Sequence, residues 1–148
     1  MFKELLSEQI QQALTEQKLS TPTAIQEAVI PLALQKKDLI ALAETGSGKT
    51  LSYLLPLLQL SLGKPRRHPS SLILVPTKEL ADQIHENFKK YAKHTNLFST
   101  TILGGKSFNT QVQKLSKGVH CLIATPGRLT DHLKKKIHHA FQIKHKKT

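Results

Sequence analysis

The chain has 148 residues, with 22 lysines and arginines against 10 aspartates and glutamates, for a formal net charge of +12. That length supports one domain with a real core and is too short for two ordinary ones. The charge favours a polyanionic partner, and because no apolar segment approaches a membrane span, nucleic acid fits better than lipid. Cys121 stands alone in an apolar strand candidate, so it can form no intrachain disulfide and is expected to pack as a small hydrophobe. A reducing compartment fits. The N-terminus, Met1-Phe2-Lys3-Glu4-Leu5-Leu6-Ser7, runs straight into polar helix residues without a signal-peptide apolar core, which leads us to expect a cytoplasmic protein.

In chain order, Leu6, Ile10, Ala13 and Leu14 recur at helical spacing around Ser7, a plausible N-cap, and predict a short amphipathic helix over 7–17. Phe2 stands in front of it. Ser20-Thr21-Pro22 breaks the pattern. Thr23-Ala24-Ile25-Gln26 then opens a second helix with the capping-box arrangement, and Pro31 is expected to end or kink it. On local pattern alone, Gln26 is simply the residue that returns to the Thr23 backbone.

Asp38-Leu39-Ile40-Ala41-Leu42 predicts a strand, and Leu51 to Leu62 an apolar helix. Between them lies Ala43-Glu44-Thr45-Gly46-Ser47-Gly48-Lys49-Thr50, placed where a phosphate-binding loop must sit. Gly46 and Gly48 allow a tight turn that aims backbone N–H groups at an anion, and the following helix adds its positive end. Lys49 is read as reaching the β- and γ-phosphates of ATP, and the Thr50 hydroxyl as a ligand of Mg2+. The usual pattern has Gly where this chain has Ala43.

Gly63 to Ser70 is a polar, proline-bearing connection. Ser71-Leu72-Ile73-Leu74-Val75 predicts a buried strand that opens into Pro76-Thr77-Lys78-Glu79-Leu80. A helix is predicted from there to about His94, with Leu80, Ile84, Phe88 and Tyr91 on one face. Phe98 to Leu103 is the next strand, ending in Gly104-Gly105, where backbone can approach a ligand closely. Ser107 to Lys117 predicts a weak helix with Val112 and Leu115 inward. A last strand, Val119 to Ala124, ends in Thr125-Pro126-Gly127-Arg128. Strands alternating with helices, each opening into a special loop at its carboxyl end, predict an α/β fold with a parallel sheet and ligands along one edge.

These loops, taken together, resemble the N-terminal RecA-like domain of DEAD-box RNA helicases over Phe2 to about Lys135. Pro22 to Gln26 resembles the Q motif, which implies that Thr23 and Gln26 read the adenine edge and that Phe2 stacks on the base. The resemblance therefore reverses the local reading of Gln26. Ala43 to Thr50 matches the family's own variant of the phosphate loop, so Thr45, Gly46, Ser47, Gly48, Lys49 and Thr50 are implied to hold ATP, with Mg2+ at Thr50 and the catalytic contribution from Lys49 and Thr50. Pro76, Thr77, Lys78 and Glu79, the pair Gly104 and Gly105, and Thr125, Pro126, Gly127 and Arg128 are implied to line the path of RNA. Backbone amides, hydroxyls and one Arg can hold a phosphodiester backbone without reading sequence. Lys78 replaces the family's usual Arg, keeping charge without the planar fork.

The resemblance also implies a division into a Q-motif region over 1–36, a partial helicase ATP-binding domain over 37–136 and a basic tail over 137–148. The family's Asp-Glu-Ala-Asp strand, its Ser-Ala-Thr loop and its second RecA-like domain with arginine fingers have no counterpart in these residues, and no Asp or Glu follows Asp131. The parallel sheet is thus expected to be incomplete, with an apolar edge and face that a partner chain could cover. The change of character after Lys136 reads as an altered reading frame or premature stop. Hydrolysis of ATP by this machinery needs carboxylates for the metal and the water, and a cationic finger. Binding of ATP and RNA without efficient turnover is the expectation, against the alternatives of a non-catalytic binding module and an inactive product. An unrelated ATPase with a phosphate loop does not explain Gln26 or the Thr125 to Arg128 loop. Lys134 to Lys147, with His138, His139 and His145, reads as a solvated end in preference to a nucleic-acid arm, and the histidine spacing gives no metal site.

Overall fold

The computed structural model describes residues 2–135, so the expectations for the basic tail lie outside the described residues. These residues form two compact units, 2–62 with 90–96, and 63–89 with 97–135.

The first unit begins with α1 (Phe2–Leu5), α2 (Glu8–Glu16), α3 (Ala24–Leu34) and α4 (Lys49–Ser61). Ile10, Leu14, Ile30, Leu54, Leu55 and Leu58 are fully buried in it. Ser7 takes the N-cap position of α2, as its spacing predicts, but its hydroxyl makes no cap bond; its backbone N–H instead donates to Gln59 Oε1 at 2.7 Å. Pro31 does not end α3, which continues to Leu34. The helix packs along α4 and buries Val29 and Ile30, and that packing outweighs the one backbone hydrogen bond a proline removes.

The predicted strand over 38–42 does not form. Residues 37–44 carry neither helix nor strand, and Ile40 and Leu42 are 95 % and 91 % exposed. An apolar run has strand propensity, but an extended segment is stable only when a neighbour takes up its backbone N–H and C=O groups. No described strand pairs with it.

The second unit holds a parallel three-stranded sheet, α/β in class as expected, ordered β1-β3-β2, with β1 (Ser71–Leu74), β2 (Ser99–Ile102) and β3 (Cys121–Ala124). The connecting helices are α5 (Lys78–Tyr91) and α6 (Phe108–Ser116), and α7 (Pro126–Lys134) follows β3. β3 is central and buried at all four positions, whereas β1 buries Ile73 and exposes Leu72 and Leu74. The strand expected to be buried over 71–75 is therefore an edge strand with one open face. Ile102, Leu115, Val119, Leu122, Ala124 and Leu129 form a core cluster. Burial pushes the Cys121 thiol up to about 12, so it packs as an inert apolar group, as expected. Val112, expected inward on α6, is half-buried, and Gln111 takes the buried position beside Leu115.

Candidate functional site

The expected phosphate loop lies in the first unit. Residues 45–48 turn sharply with Gly46 at φ +83° and Gly48 at φ +89°, and α4 starts at Lys49. The left-handed φ at both glycines is what an L side chain resists. Ser47 N–H donates to Glu44 O at 3.2 Å, and the Lys49 ammonium folds back onto the Ala43 carbonyl, so the loop is closed at both ends. Ser47 Oγ is buried without a hydrogen-bond partner. An orphaned hydroxyl beside a helix N-terminus and a lysine is a donor set suited to an anion.

The second element reaches the same loop. Thr23 N–H donates to Gln26 Oε1 at 3.0 Å, the reciprocal half of the capping box that the spacing predicts, and Gln26 Nε2 donates to Gly48 O at 3.2 Å. The structure thus brings Thr23, Gln26 and Gly48 together. Thr50 is half-buried in the first turn of α4. No group of three or more His, Cys, Asp or Glu able to hold a metal ion occurs among the described residues. A hydroxyl of this kind fits a hard cation such as Mg2+ that brings phosphate oxygens with it, as ATP-bound Mg2+ does. Phe2 is buried, 7 % exposed, and lines a small cavity with Leu14 and Leu19.

The second unit carries the other loops. Because the strands are parallel and Leu74 and Ile102 both register with Ala124, the segments after β1, β2 and β3 emerge along one edge. Pro76, Thr77, Lys78 and Glu79 are exposed there, and Leu80 N–H donates to Thr77 Oγ1 at 3.2 Å, which caps α5. Gly105 has φ +75°, and a Cβ on it would meet Lys78 Nζ at 2.6 Å, so the ammonium sits directly over Gly105. Thr125 N–H donates to Ile102 O at 3.1 Å, joining the ends of β2 and β3. Pro126 opens α7, Gly127 is exposed, and the Arg128 guanidinium lies 5.9 Å from the centre of the Phe108 ring. Lys106 adds a further cation, 3.6 Å from Asp82.

A buried polar pair escaped sequence reasoning. Gln111 and His132 are 4 % and 0 % exposed, and His132 Nε2 meets Gln111 Oε1 at 2.9 Å. Burial holds the His132 imidazole below its ordinary 6.5, with Arg128 the next cause. A signal was present: Gln111 stands four residues before inward Leu115, and His132 three after inward Leu129, so each polar residue falls on an apolar face.

Fold and loops together define a RecA-like α/β protein in which a glycine turn opens α4 and further loops follow each parallel strand. A family model described as DEAD/DEAH box helicase matches residues 23–146, and the chain belongs to that family. Over 133 residues it is 48 % identical to the ATP-dependent rRNA helicase rrp3 of Aspergillus oryzae, a match covering 89 % of this chain and 28 % of that protein. It is 46 % identical to the ATP-dependent RNA helicase DDX47 of Drosophila melanogaster, covering 86 % of this chain and 25 % of that one. A crystal structure described as a hypothetical ATP-dependent RNA helicase from Sulfolobus tokodaii superposes with a TM-score of 0.80 at 32 % identity, covering 89 % of this chain and 38 % of that one. The chain spans about a quarter of the length of the curated relatives it matches. Among the described residues, no helix is long and apolar enough to cross a membrane.

Proposed function

We propose that this chain is the ATP- and RNA-binding portion of an ATP-dependent RNA helicase, and that the 148-residue polypeptide alone binds nucleotide and RNA without efficient hydrolysis or unwinding. The observation that carries the reading is the bond from Gln26 to Gly48, which ties the expected adenine reader to the phosphate loop. In this reading Thr45, Gly46, Ser47 and Gly48 cradle the phosphates with backbone amides, Lys49 leaves the Ala43 carbonyl for the β- and γ-phosphates, and Ser47 Oγ gains the partner it lacks. Thr50 would hold Mg2+, which when bound offsets phosphate charge. Thr23 and Gln26 read the adenine edge. Phe2 would stack on the base, for which its ring must leave its cavity or the base must enter it.

RNA lies along the edge formed by Pro76 to Glu79, Gly104-Gly105 and Thr125 to Arg128, with Lys78 and Arg128 facing the phosphodiester backbone and little sequence read. Turnover is slow because these residues bring neither the Asp-Glu-Ala-Asp carboxylates nor an arginine finger; the finger alone is worth roughly 10^3 to 10^5 in rate. The reading carries with it a cytoplasmic location and a partner chain over the open β1 edge, where Pro69, Leu72, Leu122, Leu129 and Leu133 line an apolar groove of about 220 Å³.

A second reading, an inactive product, is favoured by one observation, the exposure of Ile40 and Leu42 just before the phosphate loop. Titration of the purified chain with a fluorescent ADP analogue and Mg2+, followed by phosphate release with and without RNA, decides between them. Saturable binding that weakens in Lys49→Ala and Gln26→Ala, without release, supports the first. Absence of binding by the unaltered chain supports the second, and RNA-stimulated release refutes the claim of slow turnover.

A further inference from the structure

The loops after β2 and β3 are joined beneath the surface by a chain of buried polar groups. Gln111 Nε2 donates at 2.8 Å to the carbonyl of Leu103, the residue immediately before Gly104. With the amide so oriented, Gln111 Oε1 faces His132 Nε2 at 2.9 Å. An amide oxygen only accepts, so the imidazole carries its proton on Nε2 and donates it here. His132 lies one helical turn after Arg128, and its ring stacks on Phe108 with centroids 4.0 Å apart and planes at 19°. Lys135 Nζ stands 4.3 Å from the centre of the same Phe108 ring.

Burying an amide and an imidazole is costly unless their hydrogen bonds are made, and two apolar side chains would fill the space between α6 and α7 more simply. What the polar pair adds is direction. It fixes the backbone before Gly104 against the helix that carries Thr125 to Arg128. Sites built on loops hold a ligand well only when such supports keep them within about 0.5 Å of the required geometry.

We propose that Gln111 and His132 are positioning residues for RNA: the chain Leu103–Gln111–His132 holds the Gly104-Gly105 and Thr125 to Arg128 loops in register, so that both meet one stretch of phosphodiester backbone. This inference rests on the RNA reading above. It goes further in naming two residues that touch no ligand and act on both loops at once.

The test is fluorescence anisotropy of a labelled oligouridylate with the full 148-residue chain, run beside fluorescent ADP analogue binding on the same preparations. Gln111→Ala and His132→Ala should each weaken RNA binding roughly 10-fold, and the double variant should be little worse than either, because one chain of bonds is cut in every case. His132→Gln, whose amide N–H can reach the Gln111 oxygen, should recover most of the affinity. Gln111→Glu should not, since it sets a carboxylate oxygen against the Leu103 carbonyl. Affinity for the ADP analogue should stay within about 2-fold throughout, because the nucleotide loop belongs to the other compact unit. Unchanged RNA affinity in either alanine variant overturns the proposal. So does parallel loss of both affinities, which marks a purely structural role, or failure of His132→Gln to recover. If the unaltered chain binds no oligouridylate, the RNA reading itself falls and this inference with it.

Discussion

Gln26 donates its Nε2 to the carbonyl of Gly48 at 3.2 Å while its Oε1 accepts the Thr23 N–H at 3.0 Å. One side chain thereby caps α3 and holds the last loop residue before Lys49. The same carbonyl also receives the Ser52 N–H at 3.2 Å, so the start of α4 is fixed from within and from outside. Gly48 is the one residue type that tolerates this arrangement: its φ is +89°, and a Cβ would stand 2.5 Å from Gln26 Nε2 and 2.9 Å from Thr23 Oγ1.

Gly48→Ala should therefore be destabilising twice over. The left-handed backbone costs an alanine about 1–2 kcal/mol, and displacing Gln26 breaks the bond to the loop. Urea unfolding should give a loss of about 1–3 kcal/mol, with the ADP analogue bound at least roughly 10-fold more weakly. Stability equal to that of the unaltered chain would mean that the turn relaxes without cost.

Lys49→Ala and Gln26→Ala should separate stability from binding. Lys49 is exposed and its ammonium donates to the Ala43 carbonyl, so its removal should change unfolding by no more than about 0.5 kcal/mol while nucleotide affinity falls. Gln26 is 5 % exposed, and its loss strips a cap partner from Thr23, at about 1–2 kcal/mol. Equal destabilisation by both would contradict the different burial of the two side chains.

The loops were legible in the sequence because glycine, proline and threonine in short runs between apolar segments have few other uses: Gly46, Gly48 and Gly105 all sit at positive φ. The Thr23 to Gln26 cap was legible for the same reason, a fixed spacing with one physical cause. The run over 38–42 was misread because propensity is local while pairing is not, and a strand without a neighbour is only an exposed apolar segment. Periodicity places Gln111 and His132 each on an apolar face, but it does not say that two residues 21 positions apart meet; only the bond between α6 and α7 shows that.

Arg66 offers a case where charge matters less than shape. Its guanidinium lies 3.6 Å over the Phe98 ring, and its Nε donates to Gly118 O at 2.9 Å. His120, buried between, accepts the Phe98 N–H on Nδ1 at 3.0 Å and meets the Lys64 carbonyl with Nε2 at 3.0 Å. Arg66→Ala should cost about 1–2 kcal/mol in urea unfolding, and Arg66→Lys should restore less than half, because an ammonium can neither stack flat nor donate from the Nε position. Full restoration by lysine would show that the positive charge alone matters.

Stability should fall on mild acidification. Burial, then Arg128, holds His132 below 6.5, and burial, then Lys89, does the same for His85, whose Nδ1 lies 2.9 Å from Ser99 Oγ. The unfolded chain takes up these protons near pH 6.5 and the folded chain only at lower pH, so the stabilisation is complete above about 6.5 and is lost as pH drops from there toward the folded values. Glu16 acts in a lower window. The Lys93 hydrogen bond, then that of His94, holds its carboxyl below 4.5, giving a contribution present above 4.5 and lost as pH falls through the folded value. Urea midpoints at pH 7.5 and 5.5 should differ in the unaltered chain, and differ less in His132→Gln. An unchanged difference would exclude His132 as a source.

The open edge of β1 should govern aggregation. Leu72 and Leu74 point to the face that β1 leaves uncovered, at 40 % and 53 % exposure, while Ile73 between them is 9 % exposed on the packed side. An edge strand with free backbone groups and leucines on its open face is a template for a second chain, and a lysine there is a common natural safeguard. Leu74→Lys should raise the concentration at which light scattering appears and leave the unfolding midpoint nearly unchanged, because the side chain is already mostly in water. Ile73→Lys, one residue away on the opposite face, should do the reverse, placing an unpaired charge against the core and unfolding the chain. If Leu74→Lys scatters light as readily as the unaltered chain, the edge is not where association begins, and the exposed Ile40 and Leu42 become the segment to change next.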